Sequence, residues 1–384
     1  MREGIKTAAI VALRCILHIL WLFPIRREIV FSSYEGKRVG CNPESICDEL
    51  ITQHPELRKN IVWIYRRDAD RLHLYDKGLK TVPYGGIPYF FHILTAKVLV
   101  FNDLQKSSFI PFRKDQFMLQ TWHGCGLYKK VGHDIPGASR SYHKHLDYIA
   151  SHISLFSSGC RSFTETVIRG AFGYNGEVLE IGLPRNDVLL SKEKRKYWYE
   201  QVRDELNLPL DQKLILVAPT FRNGGFSNLQ FVEDPLVTEA LTNRFGNFIY
   251  LLRTHYMDDP AKSLPANCID VTSWPDMQEL LCAADVLISD YSSCIWDFSL
   301  TEKPCLLYAP DLSDYQNERD FYLNIHEWPF PLSTNPDEFI NTINEFNPKS
   351  YQFAVKDHLK ALGSTETGKA SQLLANRIFD EFSH

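Results

Sequence analysis

Short apolar, β-branched runs alternate with helix-patterned stretches along almost all of this 384-residue chain. That alternation restricts the fold more than any other feature. Strand-like runs lie at Glu28–Ser32, Ile61–Tyr65, Lys97–Phe101, Phe117–Gln120, Asp147–Ala150 and Val178–Ile181, with helical patterns such as Pro43–Gln53 and Ser157–Ala171 between them. After Pro184 a charged amphipathic helix, Lys192–Leu206, leads into a second series. Its strands are expected at Leu214–Ala218, Asn247–Leu252, Val286–Ser289 and Cys305–Tyr308, and its helices at Asp276–Ala283, Ser292–Thr301, Pro336–Glu345 and Glu366–Phe382. Such alternation builds parallel sheets covered on both faces. Two series joined near Pro184–Glu193 predict an α/β protein of two Rossmann-like domains facing each other. The expected blocks are 1–27, 28–188, 189–365 and 366–384, the last a helix able to return to the first domain.

The first block is unlike the rest. Ala8–Phe23 reads AAIVALRCILHILWLF and is followed by Pro24 and the basic pair Arg26-Arg27. It is shorter than the roughly 20 apolar residues of a membrane span, and it carries Arg14 and His18. No small-residue cleavage site follows, so a signal peptide fits poorly. An amphipathic helix lying in a membrane interface fits better, and a helix packed on the protein's own core is the competing reading.

Composition removes some classes of function. A net charge of -5 leaves no global basic field to hold nucleic acid. The nine cysteines form no C-x-x-C pair and no metal-ligand spacing with histidine, which fits a reducing compartment and gives no sign of a metal site. There is no G-x-x-x-x-G-K-[ST] and no G-x-G-x-x-G, so neither a P-loop nor a common dinucleotide site is supported.

Ligands of open parallel sheets bind beyond the carboxyl ends of the strands, and four polar clusters are expected there. They are Gln120-Thr121-Trp122-His123-Gly124, Pro219-Thr220-Phe221-Arg222, Arg253-Thr254-His255 and Ser289-Asp290-Tyr291-Ser292-Ser293. His123 is the sharpest candidate for a general base, since a histidine can take a hydroxyl proton near neutral pH. Its bland counterpart is a structural histidine bonded to a neighbouring carbonyl. Arg253 and His255, one residue apart on leaving a strand, suit a diphosphate, or else a sheet-end ion pair with Asp258 or Asp259. Ser292 and Ser293 would open a helix whose N-terminus suits phosphate, or merely cap it. Lys129-Lys130, His133-Asp134 and His143-Lys144-His145 could form an acceptor surface or a solvated loop.

In this order the clusters resemble the CDP-glycerol glycerophosphotransferase family, which includes teichoic acid primases and polymerases. The resemblance runs from about Glu28 to Trp328. Its most specific pieces are QTWHG at 120–124, GLPRND at 182–187, APTFR at 218–222, LLRTH at 251–255 and the long run from Leu280 to Tyr322. It implies a GT-B-like arrangement, two Rossmann-like domains with the site in the cleft. It also implies transfer of glycerol phosphate from CDP-glycerol to a hydroxyl of a polyprenyl-diphosphate-linked saccharide, with release of CMP. Carried over by motif, His123 would be the base. His255, Arg253 and Arg319 would engage the donor phosphates beside Ser292 and Ser293, supported by Arg222 and Asp290. Trp122, Gly124, Lys129 and Lys130 would face the acceptor.

The resemblance further implies a peripheral protein on the cytoplasmic face of a bacterial membrane, in teichoic acid or capsule polysaccharide synthesis. No tightly bound metal is expected, and a loosely held Mg²⁺ on the donor is compatible. The sequence departs from the family at Cys125-Gly126, where threonine-proline is usual, and at Asp320, where glycine is usual. These departures bear on the acceptor and the polyol rather than the reaction class. CDP-ribitol as donor, a nucleotide-sugar transferase or epimerase of the same architecture, and a membrane adaptor without chemistry are the competing readings.

Overall fold

The computed structural model describes residues 2–104, 109–220, 229–254, 267–318 and 321–384. They form two compact units, one of residues 1–125, 131–187 and 365–384 and the other of residues 126–130 and 188–364. The stretch expected at 28–188 is therefore interrupted, because Gly126–Lys130 packs with the second unit.

The first unit holds seven strands: β1 Arg26–Ser32, β2 Ile61–Tyr65, β3 Lys80–Pro83, β4 Ala96–Phe101, β5 Phe117–Gln120, β6 Leu155–Ser158 and β7 Glu177–Glu180. They form one parallel sheet in the order β3-β2-β1-β4-β5-β6-β7. The central strands are apolar on both faces, as a doubly covered sheet requires, and Ile29, Val30, Phe31, Val98, Leu99 and Val100 have no exposed surface. One face is covered by the helix Cys41–Gln53 through Ile46, Cys47 and Leu50, and by the last helix, Ala370–Ser383, through Leu374, Ala375, Ile378 and Phe382. Each such aliphatic or aromatic side chain contributes roughly 1.5–3 kcal/mol on burial.

The expected strand at Asp147–Ala150 is corrected to the end of a helix, Arg140–Ala150. Ser139 caps it by accepting the Tyr142 N–H at 3.2 Å, and the buried residues Leu146, Ile149 and Ala150 follow helical spacing. The strand is instead β6, whose two serines hide it from an apolar scan. The helix expected at Ser157–Ala171 begins later, at Arg161, and takes π-type hydrogen bonding from Thr164 to Ala171.

The second unit holds β8 Lys213–Val217, β9 Phe248–Leu252, β10 Cys268–Asp270, β11 Val286–Ser289, β12 Cys305–Tyr308 and β13 Leu332–Ser333, parallel in the order β10-β9-β8-β11-β12-β13. In both sheets the strand order reverses in the Rossmann manner, at β1/β4 in one and β8/β11 in the other. The expected helix Ser292–Thr301 is shortened to Cys294–Ser299.

At the N-terminus a helix, Arg2–Leu17, continues into a 3-10 turn, His18–Leu22. The turn is held by polar clamps: Trp21 donates to the Pro111 carbonyl, and Arg113 donates to the carbonyls of Leu20 and Phe23. Ile16, Ile19 and Leu22 remain 59–84% exposed. No helix among the described residues is long and apolar enough to cross a membrane.

Candidate functional site

Several chemistry-bearing residues of the first unit collect at the carboxyl ends of β1, β4 and β5. The strand β5 ends at Gln120, a fully buried side chain that donates to the Asp103 carbonyl at 2.6 Å and accepts the Trp122 N–H at 2.8 Å. The chain then turns through Trp122, whose φ of 51° is unusual for so bulky a residue. His123 follows. Its Nδ1 lies 2.7 Å from the carbonyl oxygen of Asn102, the first residue after β4. A carbonyl can only accept, so Nδ1 carries the proton and Nε2 presents the basic lone pair.

Burial pushes His123 down to about 4; the Asn102 carbonyl opposes the shift and the Arg185 cation adds to it. The residue nevertheless keeps part of its surface open. The shift therefore reflects depth among protein atoms rather than sealing from solvent. Around neutral pH the ring is uncharged and able to accept a proton. Trp122 lies against it at 4.1 Å between ring centroids and Tyr34 at 5.4 Å. Burial raises the Tyr34 hydroxyl well above its usual range, so this neighbour also stays neutral.

Residues that sequence reasoning passed over hold this loop. Asn42, without exposed surface, donates to the Trp122 carbonyl at 3.0 Å and accepts the Arg185 N–H at 3.1 Å. Asn102 accepts the Tyr34 N–H at 2.7 Å through Oδ1. This fixes the orientation of its amide, and its buried Nδ2 has no partner among the described residues. The signal was an asparagine at each of two places, just beyond β4 and just before Pro43 at a helix start, and neither carries an obvious charge or motif.

Gly124 is buried, and the Cys125 thiol donates to Cys160 Sγ at 3.6 Å. Gly126 has φ +105°, a conformation closed to proline, whose ring holds φ near -65°. Lys129 forms an isolated antiparallel bridge with Phe321, and its ammonium stands 5.4 Å from the Tyr315 ring, both within the second unit. Lys130 belongs to the same segment. His133 pairs with Asp147 at 2.8 Å and lies against His143.

In the second unit, Thr220 and Asp290 leave β8 and β11 at the reversal of strand order. Asp290, almost wholly buried, accepts from the Thr220 N–H at 2.8 Å, the Thr220 hydroxyl at 2.7 Å and the Tyr291 N–H at 2.5 Å, all through one carboxylate oxygen. It ties the two strand ends together. Arg253, also buried, leaves β9 with its backbone N–H on the Val217 carbonyl at 2.9 Å. Ser292 and Ser293 are partly exposed, and Ser293 makes no side-chain cap to the short helix after it. Arg222, His255 and Arg319 lie outside the described residues, as does Asp320. Among the described residues no group of three or more His, Cys, Asp or Glu side chains could hold a metal ion.

The family model described as CDP-Glycerol:Poly(glycerophosphate) glycerophosphotransferase matches residues 16–380. The chain belongs to this family. Among curated relatives of this glycerophosphotransferase family, the chain is 29% identical over 374 residues to the teichoic acid poly(glycerol phosphate) polymerase of Bacillus subtilis (strain 168), covering 93% of this chain and 49% of that protein. It is 28% identical to the teichoic acid glycerol-phosphate transferase of Staphylococcus aureus (strain NCTC 8325 / PS 47), covering 93% and 94%. The teichoic acid ribitol-phosphate primase of Bacillus spizizenii (strain ATCC 23059 / NRRL B-14472 / W23) is also 28% identical, covering 93% and 92%. The chain thus spans about half the length of some polymerases it matches and nearly all of the two shorter enzymes. Among solved structures, the wall teichoic acid polymerase TagF soaked with CDPG superimposes with a TM-score of 0.81 at 26% identity, covering 100% of this chain and 97% of that one. That likeness makes the fold GT-B-like.

Proposed function

We propose that this chain transfers glycerol phosphate from CDP-glycerol to a hydroxyl of a lipid-linked saccharide or growing polyol-phosphate chain, releasing CMP, in the synthesis of teichoic acid or a capsule-type polymer. The observation that carries this reading is the His123 ring. It is neutral, its tautomer is set by the Asn102 carbonyl, and its Nε2 is the free base. The acceptor oxygen attacks the β-phosphorus of the donor as its proton passes to Nε2. The phosphorus–oxygen bond to CMP breaks, and its electron pair leaves on CMP. Such a transfer draws mainly on positioning and charge stabilisation.

Arg253, with Arg222, His255 and Arg319, is assigned to the charge of the donor diphosphate. Ser292 and Ser293 add hydroxyl donors, and Asp290 acts as the tie between Thr220 and the start of their loop. Trp122, Gly124, Lys129 and Lys130 are assigned to the acceptor. The exposed apolar side chains of Val11–Phe23 are assigned to the surface of the membrane that carries a polyprenyl-linked acceptor, on the cytoplasmic side where nucleotide donors are found. Binding to anionic lipid vesicles should then fall in Ile19→Asp/Leu22→Glu.

CMP release from CDP-glycerol with a soluble lipid–disaccharide analogue, beside His123→Ala, tests the reaction. Acceptor-dependent CMP that vanishes in the variant supports it. The similarity to a ribitol-phosphate primase supports a second reading with CDP-ribitol as donor. CMP from that donor alone would keep the chemistry and change the polyol. Silence with both donors would overturn the proposal.

A further inference from the structure

Six non-glycine residues among those described have positive φ, and four of them, Tyr34, Glu35, Cys41 and Trp122, belong to the loops around His123. Each such residue is sterically strained and persists only where its surroundings hold it. Trp122 is the critical one, because its backbone sets where the next residue, His123, places its ring.

We infer that Asn42 is a positioning residue for His123, holding Trp122 in its left-handed conformation. This rests on the reading of His123 as the base. The Asn42 Nδ2 donates to the Trp122 carbonyl at 3.0 Å and lies 3.4 Å from that of Thr121, while Oδ1 accepts the Arg185 N–H at 3.1 Å. One buried amide thus fastens the histidine loop to the loop that follows β7. Asparagine is a poor helix former, yet it stands in the first turn of Cys41–Gln53 with no exposed surface. Its amide is what that position uses. Without the clamp Trp122 relaxes toward negative φ, the ring leaves the Asn102 carbonyl, and both the tautomer and the low basicity of His123 are lost. The charged and titratable groups facing the ring are Arg185 from the loop after β7 and Tyr34 from the segment after β1, the latter with Cys41 acting on its hydroxyl.

The test uses the full chain with Asn42→Asp, which keeps shape and the acceptor oxygen, and Asn42→Ser, too short to reach Trp122. Both should stay folded. We expect kcat to fall about 100-fold with KM for CDP-glycerol within about threefold, as for a misplaced catalytic group. Either substitution made in His123→Ala should cost nothing further. In the neutral Asn42→Ser, the His123 resonance should titrate well above its value in the unsubstituted chain, toward about 6.5. An unchanged kcat, an equal fall in the His123→Ala background, an unmoved titration or loss of fold in both variants would each overturn the inference. If the unsubstituted chain released no CMP, the proposed reaction would fail, yet the His123 titration would still decide the role of Asn42.

Discussion

The carboxyl end of the first sheet and that of the second are built on the same strand order, but they are stiffened differently. At the first, side-chain amides do the holding: Gln120, Asn42 and Asn102 grip backbone groups around a single uncharged ring. At the second, a carboxylate, Asp290, gathers the ends of β8 and β11, while the buried Arg253 leaves the neighbouring β9. A neutral amide can satisfy buried backbone groups without adding charge, so it leaves the basicity of a nearby histidine to burial. The carboxylate of Asp290 is instead occupied by three neighbouring donors from the two strand ends. The difference fits the proposed division, with proton transfer at one end and donor binding at the other.

The sharpest way to break that division is His123→Ala. We expect kcat for CMP release to fall about 1,000-fold or more, within the range for a lost general base, while calorimetric affinity for CDP-glycerol changes by less than threefold. A matching loss of donor affinity would erase the distinction between the two ends.

Next in size is an acid effect on stability. The folded-state value of His123 is about 4, below its unfolded value, so unfolding takes up a proton as the pH falls between them. Stability is therefore full above pH ~6.5 and is lost progressively down to pH ~4, by roughly 3 kcal/mol. Denaturant melts of His123→Gln should lack that component. Equal acid sensitivity in the two proteins would show that the ring is not held neutral.

Arg253→Lys should weaken CDP-glycerol binding about tenfold, because an ammonium cannot reproduce the two-pronged contact that the proposal gives the guanidinium, with kcat at saturation nearly unchanged. Smallest is Ser293→Ala, for which a two- to fivefold rise in the donor dissociation constant is expected from one lost hydroxyl donor. No rise would remove Ser293 from the donor site.

Much of the fold was legible in the chain. The apolar runs at Ile61–Tyr65, Phe117–Gln120, Val286–Ser289 and Cys305–Tyr308 became strands with those limits, since a strand buried on both faces shows itself as an unbroken apolar segment. Asp147–Ala150 misled because four residues cannot separate a strand from the last turn of a helix, and the deciding cap lay upstream at Ser139. The edge strands β3, β10 and β13 were missed. They are short and half-polar, and only pairing with a neighbour makes them strands.

His123 could be proposed from the sequence because a histidine between tryptophan and glycine after a strand carries a chemical signature. By itself, then, the sequence determined the strand order's raw material, the family and the candidate base. Tertiary structure alone decided the surroundings of that candidate. The Asn102 carbonyl that sets its tautomer, the Asn42 amide that holds its loop and the Arg185 charge beside it come from segments 21, 81 and 62 residues away along the chain. Hydrogen bonds and burial act through space, so their partners leave no pattern in the local sequence.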